Sequence, residues 1–329
     1  MFQFHPLLRP LVGVAFALLL ISPAMLRAQT VAGSVSGLVQ DSTGAAIPDA
    51  QIEVVDLYRN GSFRSATNAT GVYRVSPLPP GRYRITAEKE GFRRFRLEPL
   101  RISTQQKAAV YVTLEVGAVS ESVTVTGAAQ LIETTTATLS GVVENKRIID
   151  LPLNGRNVYA LAALTPGVFG WRPASGNGGV GEGFESVGRF TVNGGRDSSN
   201  AILMDGVPVT VNANTNNMNA NTAVPTIEGV EEFRIQTNSF SAEYGRSGGG
   251  VLTIATKSGT NEFRGSLFHF LRNSRMDANN YFANAANRRL GSFKRNEFGV
   301  SAGGPVLIPK LYNGKNKTFF FNSYEGRRQ

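Results

Sequence analysis

The stretch that decides the fold runs from Glu228 to Gly265 and reads EGVEEFRIQTNSFSAEYGRSGGGVLTIATKSGTNEFRG. Two runs of strand-forming residues, Val230 to Thr237 and Gly250 to Thr256, flank a segment rich in serine and glycine. β-Branched and aromatic residues favour strands, whereas serine and glycine clusters favour the loops between them. The stretch therefore predicts two strands joined by a loop, and a further strand that begins at Glu262.

The composition of the 329 residues excludes several kinds of functional site. There is no cysteine, and the only histidines are His5 and His269, so disulfides, zinc–thiolate centres and cysteine nucleophiles are excluded. We accordingly expect no metal, no cofactor and no catalytic residue. The formal net charge is +10, but glutamates interrupt the densest basic group, from Arg82 to Lys107. This pattern indicates a solvated sheet face rather than nucleic-acid binding, with attraction to anionic lipid headgroups or a polyanionic wall polymer as the alternative.

The N-terminus has the pattern of a secretory signal peptide. His5 and Arg9 precede an apolar run from Leu11 to Ile21, and small residues end at Ala28. The apolar run is about a dozen residues long, whereas a membrane-spanning helix requires about 20. We therefore predict a signal peptide over residues 1–28 and export through the periplasm. No later stretch is predicted to form a membrane helix, so any insertion into a membrane would use barrel strands.

Residues 29–116 alternate apolar and polar side chains in short runs separated by turns. The alternating apolar positions are Val35, Gly37 and Val39, then Ile52 and Val54, Tyr73 and Val75, Tyr83, Ile85 and Ala87, and Val110, Val112 and Leu114. Such alternation with regular turns predicts a small antiparallel β-sandwich. The pattern Gly37-x-Val39-x-Asp41, followed by Leu78-Pro79-Pro80-Gly81-x-Tyr83, resembles the carboxypeptidase regulatory-like domain. The resemblance implies a transthyretin-like or carbohydrate-binding-like module, acting as a spacer or as a glycan binder.

The segment 117–128, here called the coupling segment, favours extended structure. Its valines alternate with hydroxyl residues over Ser122, Val123, Thr124, Val125 and Thr126. The segment resembles the TonB box that precedes plug domains. This implies that a TonB-like energy-coupling protein binds those five residues by adding them as a strand to its own sheet. We expect the free segment to be poorly ordered, with a last sandwich strand or a plain linker as the alternative.

Residues 129–257 begin with two predicted short helices. Asn145 is placed to cap a helix that extends through Ile149 and that Pro152 prevents from continuing. The second helix covers Val158 to Leu164, with Leu161 and Leu164 on one face.

Later in the same domain, Asp205-Gly206 between apolar runs predicts a tight hairpin turn, and Pro208 restricts the following strand to a sheet edge. Residues 173–188 and 211–221 lack periodicity. They predict long loops that either face a substrate or vary without function. Gly245 to Gly249 fits the G-x-S-x-G motif, but no helix is predicted after Ser247, so a serine hydrolase is the least favoured function.

Residues 258–329 contain predicted amphipathic strands at Glu262–Arg272, Phe293–Gly304 and Lys317–Tyr324. Aromatic clusters such as Phe319-Phe320-Phe321 are typical of the interfacial girdle of an outer-membrane barrel. A plugged barrel has roughly 22 strands, many more than the strands predicted in this region. We therefore expect the chain to be a fragment or a truncated product, inactive in transport on its own and prone to aggregate through unpaired strand edges.

The segments Val143–Asn157 and Glu228–Gly265 together resemble the plug of Oar-like TonB-dependent outer-membrane receptors. The residues that match this plug motif are Leu151, Pro152, Asn154, Gly155, Arg156, Asn157, Asp205, Gly206, Glu243, Tyr244, Gly245 and Arg246. The resemblance implies a mainly β fold: a β-sandwich, an α/β plug and the first barrel strands. It also implies location in the cell outer membrane, a TonB-like partner, and energy-coupled uptake of a small ligand or a glycan. A cell-surface adhesion or carbohydrate-binding module is the alternative.

Overall fold

The computed structural model describes residues 31–117, 122–125, 136–151, 153, 156–172, 189–196, 199–213, 218–221, 223–245 and 247–329. The predicted signal peptide and the glycine-rich stretch 173–188 lie outside these residues. So do five predicted site residues, namely Thr126, Pro152, Asn154, Gly155 and Arg246. Across the part of the chain that is described, no helix is long and apolar enough to cross a membrane.

The first domain is a sandwich of two β-sheets. Its strands are β1 (Gly33–Asp41), β2 (Gln51–Asp56), β3 (Ser62–Ala66), β4 (Val72–Leu78), β5 (Gly81–Glu88), β6 (Arg94–Ile102), β7 (Lys107–Ala109), β8 (Val112–Leu114) and β9 (Ser122–Val125). One sheet has the order β4-β1-β7, with β8 also paired to β1, and the other has the order β3-β2-β5-β6-β9. The predicted alternation is confirmed, because Val35, Val39, Ile52, Tyr83 and Ile85 are all buried between the sheets.

The prediction of a purely antiparallel sandwich is wrong for three pairs of strands. β7 and β8 run parallel to β1, and β9 runs parallel to β6. A tight hairpin joins only antiparallel neighbours. β7 and β9 are instead each reached by a connection that crosses from the opposite sheet.

The coupling segment also departs from the prediction. Ser122–Val125 form β9 and pair in register with Arg94–Leu97 of β6. The expected poorly ordered state is therefore wrong for these residues, and the alternative of a last sandwich strand describes them. The physical reason is that an extended, β-prone segment meets a sheet edge whose backbone groups are otherwise unpaired.

The second domain, the plug, is built on a mixed sheet. Its strands are β10 (Leu139–Glu144), β11 (Val168–Arg172), β12 (Arg189–Val192), β13 (Ala201–Met204), β14 (Val207–Pro208), β15 (Thr210–Ala213), β16 (Met218–Asn221), β17 (Val230–Asn238) and β18 (Val251–Thr256). The main sheet has the order β10-β17-β18-β13-β14. Both strands predicted from the deciding stretch are therefore confirmed, and they pair antiparallel as β17 and β18.

The predicted helices of the plug are present, but two details differ. Helix α1 spans Asn145–Asp150, yet Asn145 does not cap it, because its side chain instead donates to the carbonyl of Val230 at 2.7 Å. The second helix is a 3₁₀ helix over Val158–Leu164. Leu161 and Leu164 lie three residues apart and so share a face of the 3₁₀ helix, but only Leu161 is buried, because Leu164 is exposed at the end of the helix.

The turn at Asp205-Gly206 is confirmed. Both residues have positive φ, 48° and 85°, as a tight hairpin turn requires, and Pro208 lies on the edge strand β14. The stretch 211–221 was predicted to be a loop without regular structure. Its described residues instead belong to the β15–β16 hairpin, in which backbone pairing needs no side-chain periodicity.

The third part consists of the predicted barrel strands. These are β19 (Arg264–Asn273), β20 (Lys294–Pro305) and, after a small hairpin of β21 (Leu307–Ile308) and β22 (Tyr312–Asn313), β23 (Phe319–Arg328). They form one antiparallel sheet in the order β19-β20-β23. A 3₁₀ turn, Ser274–Met276, and helix α2, Tyr281–Ala285, lie between β19 and β20. The strand predictions for this region are confirmed.

We predict that Gly37→Ala destabilises the sandwich. A Cβ at Gly37 would lie 1.7 Å from the carbonyl oxygen of Val110, which is backbone and is held by the hydrogen bond from the Val110 N–H to Ser36. Forced overpacking of this kind costs about 1–3 kcal/mol or more. Thermal unfolding should show a lower melting temperature for Gly37→Ala. The control is Gly61→Ala, whose Cβ would meet no atom within 4 Å. Equal melting temperatures for the two variants would contradict the prediction.

Candidate functional site

The sandwich contacts the plug through a buried carboxylate on β17. The side chain of Glu232 is 2% exposed, and it accepts hydrogen bonds from the backbone N–H of Thr104 and from the Arg101 guanidinium at 3.3 Å. Arg101 also forms an ion pair with Glu144 of the plug at 3.1 Å. An unpaired buried carboxylate costs several kcal/mol, so Glu232 requires these partners. Both come from the end of β6 and the turn after it.

Two further polar residues of β17 extend this contact. Arg234 donates to the carbonyl of Thr104 at 3.1 Å, and Gln236 donates to the side-chain oxygen of Gln105 at 2.8 Å. Gln105 in turn donates to the hydroxyl of Tyr244. Burial raises the pKa of the Tyr244 hydroxyl, which therefore stays protonated. The predicted plug residue Tyr244 thus belongs to the interface between the sandwich and the plug.

Arg156 joins the plug to the barrel strands. Its guanidinium donates to Glu325 on β23 at 3.2 Å and lies 3.5 Å from the carboxylate of Glu228. The centre of the same guanidinium is 3.9 Å from the ring centroid of Phe268 and 5.0 Å from that of Phe270. Its backbone φ is 49°, in the left-handed region that non-glycine residues occupy at a cost. The contacts with two carboxylates and two rings offset that cost.

Towards the plug, the barrel strands present hydroxyl and charged side chains together with the rings of Phe268 and Phe270. The hydroxyl of Ser266 donates to Glu228 at 3.1 Å and lies 2.8 Å from the hydroxyl of Ser301, while Ser323 lies 2.8 Å from Thr226 of the plug. The alternate positions of these strands are apolar and exposed at Leu267, Val300 and Tyr324. A polar inner face and an apolar outer face are what a barrel in a lipid bilayer requires.

Other predicted motif residues support the plug itself. Asp205 accepts hydrogen bonds from the N–H and the hydroxyl of Thr256, at 2.9 and 2.7 Å, and so ties the hairpin turn to β18. Asn157 accepts from the N–H of Tyr159 at 2.9 Å and caps the 3₁₀ helix. Leu151 ends α1, Gly206 occupies the turn, and Glu243 and Gly245 lie on an exposed loop. Of the described motif residues, Arg156 and Tyr244 are thus the two with contacts between domains.

Several interface residues were missed from the sequence, namely Arg101, Glu228, Glu232, Arg234 and Glu325. Glu232 and Arg234 of β17 could have been identified from the way charged residues alternate with Phe233 and Ile235 along this strand. A strand with apolar residues on one side and charges on the other suggests either solvent or a polar partner on the second side. The sequence alone does not distinguish these two cases.

A cavity of about 390 Å³ lies where the three parts of the chain meet. Its walls include Tyr58 of the sandwich, Glu231 and Lys257 of the plug, and Ser301 of β20. Burial raises the pKa of the Glu231 carboxyl and lowers the pKa of the Lys257 ammonium. The opposite charges of these two groups offset part of each other's burial cost. In the part of the chain that the structure describes, no group of histidine, aspartate and glutamate side chains could hold a metal ion.

Comparisons with protein families match the whole series of domains. The carboxypeptidase regulatory-like domain matches residues 34–115, the TonB-dependent receptor plug domain matches residues 130–251, and an outer membrane beta barrel domain matches residues 255–329. These matches correspond in order to the sandwich, the plug and the barrel strands.

Individual relatives are longer than this chain. The TonB-dependent transporter Oar of Myxococcus xanthus is 28% identical over 313 residues, which are 92% of this chain and 27% of that protein. The chain thus spans about a quarter of the length of this curated relative. The siderophore receptor PirA of Acinetobacter baumannii is 20% identical, with a TM-score of 0.38, over 56% of this chain and 24% of its own. The outer membrane transporter YddB of Escherichia coli is 16% identical, with a TM-score of 0.40, over 51% and 24%.

We predict that Arg156→Ala loosens the plug from the barrel strands. The change leaves Glu228 and Glu325 without their shared cation, and breaking a buried ion pair costs about 3–5 kcal/mol. Hydrogen exchange measured on the full chain should show faster exchange in Ile227–Gly229 and β23. The control is Arg264→Ala, which removes a pair with Glu262 in which both side chains are mostly exposed, worth about 0–1 kcal/mol. Equal exchange in the two variants would show that Arg156 does not hold this contact.

Proposed function

We propose that this chain takes part in the energy-coupled uptake of a ligand across the outer membrane. It belongs to the Oar-like TonB-dependent outer-membrane receptors. The chain is an outer-membrane protein by its plug and barrel domains. Uptake itself, the ligand and the partner belong to the proposal, because the curated relative is a much longer protein.

The observation that carries the proposal is the position of the plug against the inner face of the barrel strands. Arg156 and Glu228 of the plug bind Glu325 and Ser266, which face away from the exposed apolar residues of the same strands. A plug held at the polar inner face is suited to close a barrel.

The partner we propose is a TonB-like energy-coupling protein that binds Ser122–Thr126. This segment lies directly before the plug, so a pull on it acts on the plug. Its β-prone sequence and its strand conformation in β9 support recognition by strand addition. The cargo we propose is a small ligand or a glycan.

We propose no catalytic function for this chain. The serine of the G-x-S-x-G motif, Ser247, donates its hydroxyl to backbone carbonyls of Ser199 and Gly250, and so has a structural use. The domains matched are those of a transporter, which also favours uptake over the adhesion alternative.

We predict that Val123→Pro or Val125→Pro abolishes binding of the full chain to the periplasmic domain of a TonB-like protein. Proline removes a backbone donor and restricts φ, so strand addition fails. Binding is measured by pull-down and by site-specific cross-linking. The matched variant is Thr124→Val, which keeps the backbone donor and should bind like wild type. If both proline variants bind as well as wild type, the coupling role is wrong; if Thr124→Val also fails, recognition depends on side chains instead.

A further inference from the structure

We infer that the cavity where the sandwich, the plug and the barrel strands meet is a binding site for a small zwitterion, namely an α-amino acid with an apolar side chain. The ammonium of this ligand pairs with the carboxylate of Glu231, and its carboxylate pairs with the ammonium of Lys257. The inference goes beyond the proposed uptake and does not depend on it, because it concerns a second site with walls from all three parts of the chain.

The first observation is that the cavity contains two charges without direct partners. Glu231 and Lys257 line it, and both are half-buried. Among the described residues, neither side chain makes a hydrogen bond or an ion pair, so the two charges do not satisfy each other by direct contact. A charge that loses water without gaining a partner is costly. A ligand that brings the opposite charge to each group offsets that cost.

Local structure places these two charges close together in the plug. Val230 of β17 lies opposite Thr256 of β18, and the register shifts at the next residue, Glu231. A bulge of this kind inserts an extra residue and redirects its side chain. Lys257 directly follows β18, and its backbone N–H donates to the carbonyl of Gly229 at 2.8 Å. The backbone therefore fixes the origin of both charged side chains before a ligand arrives.

The walls of the cavity are held by contacts that do not use the two charges. The N–H of Asn261, between β18 and β19, donates to the carbonyl of Tyr58 at 3.1 Å. Arg59 donates to a backbone carbonyl of the same connecting segment at 3.2 Å. On the other side, the hydroxyl of Ser266 donates to Glu228 at 3.1 Å. The cavity is thus preformed, and a preformed site loses less conformational entropy when a ligand binds.

The volume and the remaining walls indicate which zwitterion fits. At about 390 Å³, the cavity lies near the lower end of the range of small-molecule sites, about 300–1,000 Å³. Apolar surface in its walls comes from Tyr58, Pro80, Ile149 and Phe321. A ligand with one positive group, one negative group and a short apolar chain matches this combination. A ligand with a single charge leaves one of the two protein charges without a partner.

The test measures binding of L-leucine to the detergent-solubilised full chain by titration calorimetry, in a buffer without amines or carboxylates. Two matched probes each lack one charge: isocaproate lacks the ammonium of leucine, and isoamylamine lacks its carboxylate. The variants are Glu231→Gln and Lys257→Met. Their controls are Glu90→Gln and Lys317→Met, two exposed positions that do not line the cavity.

We expect wild type to bind L-leucine at least about tenfold more tightly than either probe of single charge, because each probe forgoes one charged hydrogen bond. Each of the two variants should lose at least about tenfold in affinity for leucine, whereas the controls should bind it like wild type. Bound leucine should also slow hydrogen exchange at residues 57–60 and 257–260, which belong to opposite walls.

The comparison of probes uses wild type alone, so it decides the question even where a variant fails to fold. No binding of leucine by wild type that melts cooperatively would overturn the inference. Equal affinities for leucine and isocaproate would show that Glu231 takes no part and would overturn the zwitterion. Unchanged leucine affinity in both folded variants, or unchanged exchange at residues 57–60 and 257–260, would place leucine elsewhere and overturn this site. None of these outcomes bears on the coupling role, which is tested with the TonB-like partner.

Discussion

The burial of polar side chains on one side of β17 is the constraint on which the rest of the structure depends. Phe233 and Ile235 of this strand pack into the plug core, and the residues that alternate with them, Glu232, Arg234 and Gln236, are buried as well. Leaving a buried polar group unpaired costs about 1–3 kcal/mol, and more when the group is charged. The sandwich supplies the partners through Arg101, Thr104 and Gln105. In the docked arrangement, the sandwich thus provides hydrogen-bond partners for the polar side of the plug sheet.

The same short stretch also determines where the barrel strands lie. Glu228 belongs to the 3₁₀ turn directly before β17, and it contacts Arg156 and Ser266. Buried ion pairs add little net stability, because desolvation offsets their attraction, but breaking one is costly. Their effect here is to specify a single arrangement of plug and barrel strands. Exposed pairs such as Arg64 with Glu53 lack this effect, since water replaces either partner at little cost.

Strand positions could be predicted from the sequence because the two-residue period is a local property. Val35, Tyr83 and Ile85 follow it, and their burial agrees. The contacts between domains could not be predicted, since Arg101 and Glu232 lie 131 residues apart and either could equally face solvent. The coupling segment shows the same limit. Its alternation of valine and threonine favours a strand whether free or docked, and docking depends on the open edge of β6.

The two strands on either side of residues 126–135 are both edge strands. β9 ends the five-stranded sheet of the sandwich, and β10 ends the main sheet of the plug. An edge strand can leave its sheet without breaking any other ladder, whereas an interior strand cannot. Separation of β9 from β6 and of β10 from β17 therefore breaks only those two ladders. It leaves the pairing of β17 with β18 in place, together with the contacts of Gln236 with the sandwich and of Glu228 with the barrel strands. The arrangement lets one part of the plug move while the rest remains attached.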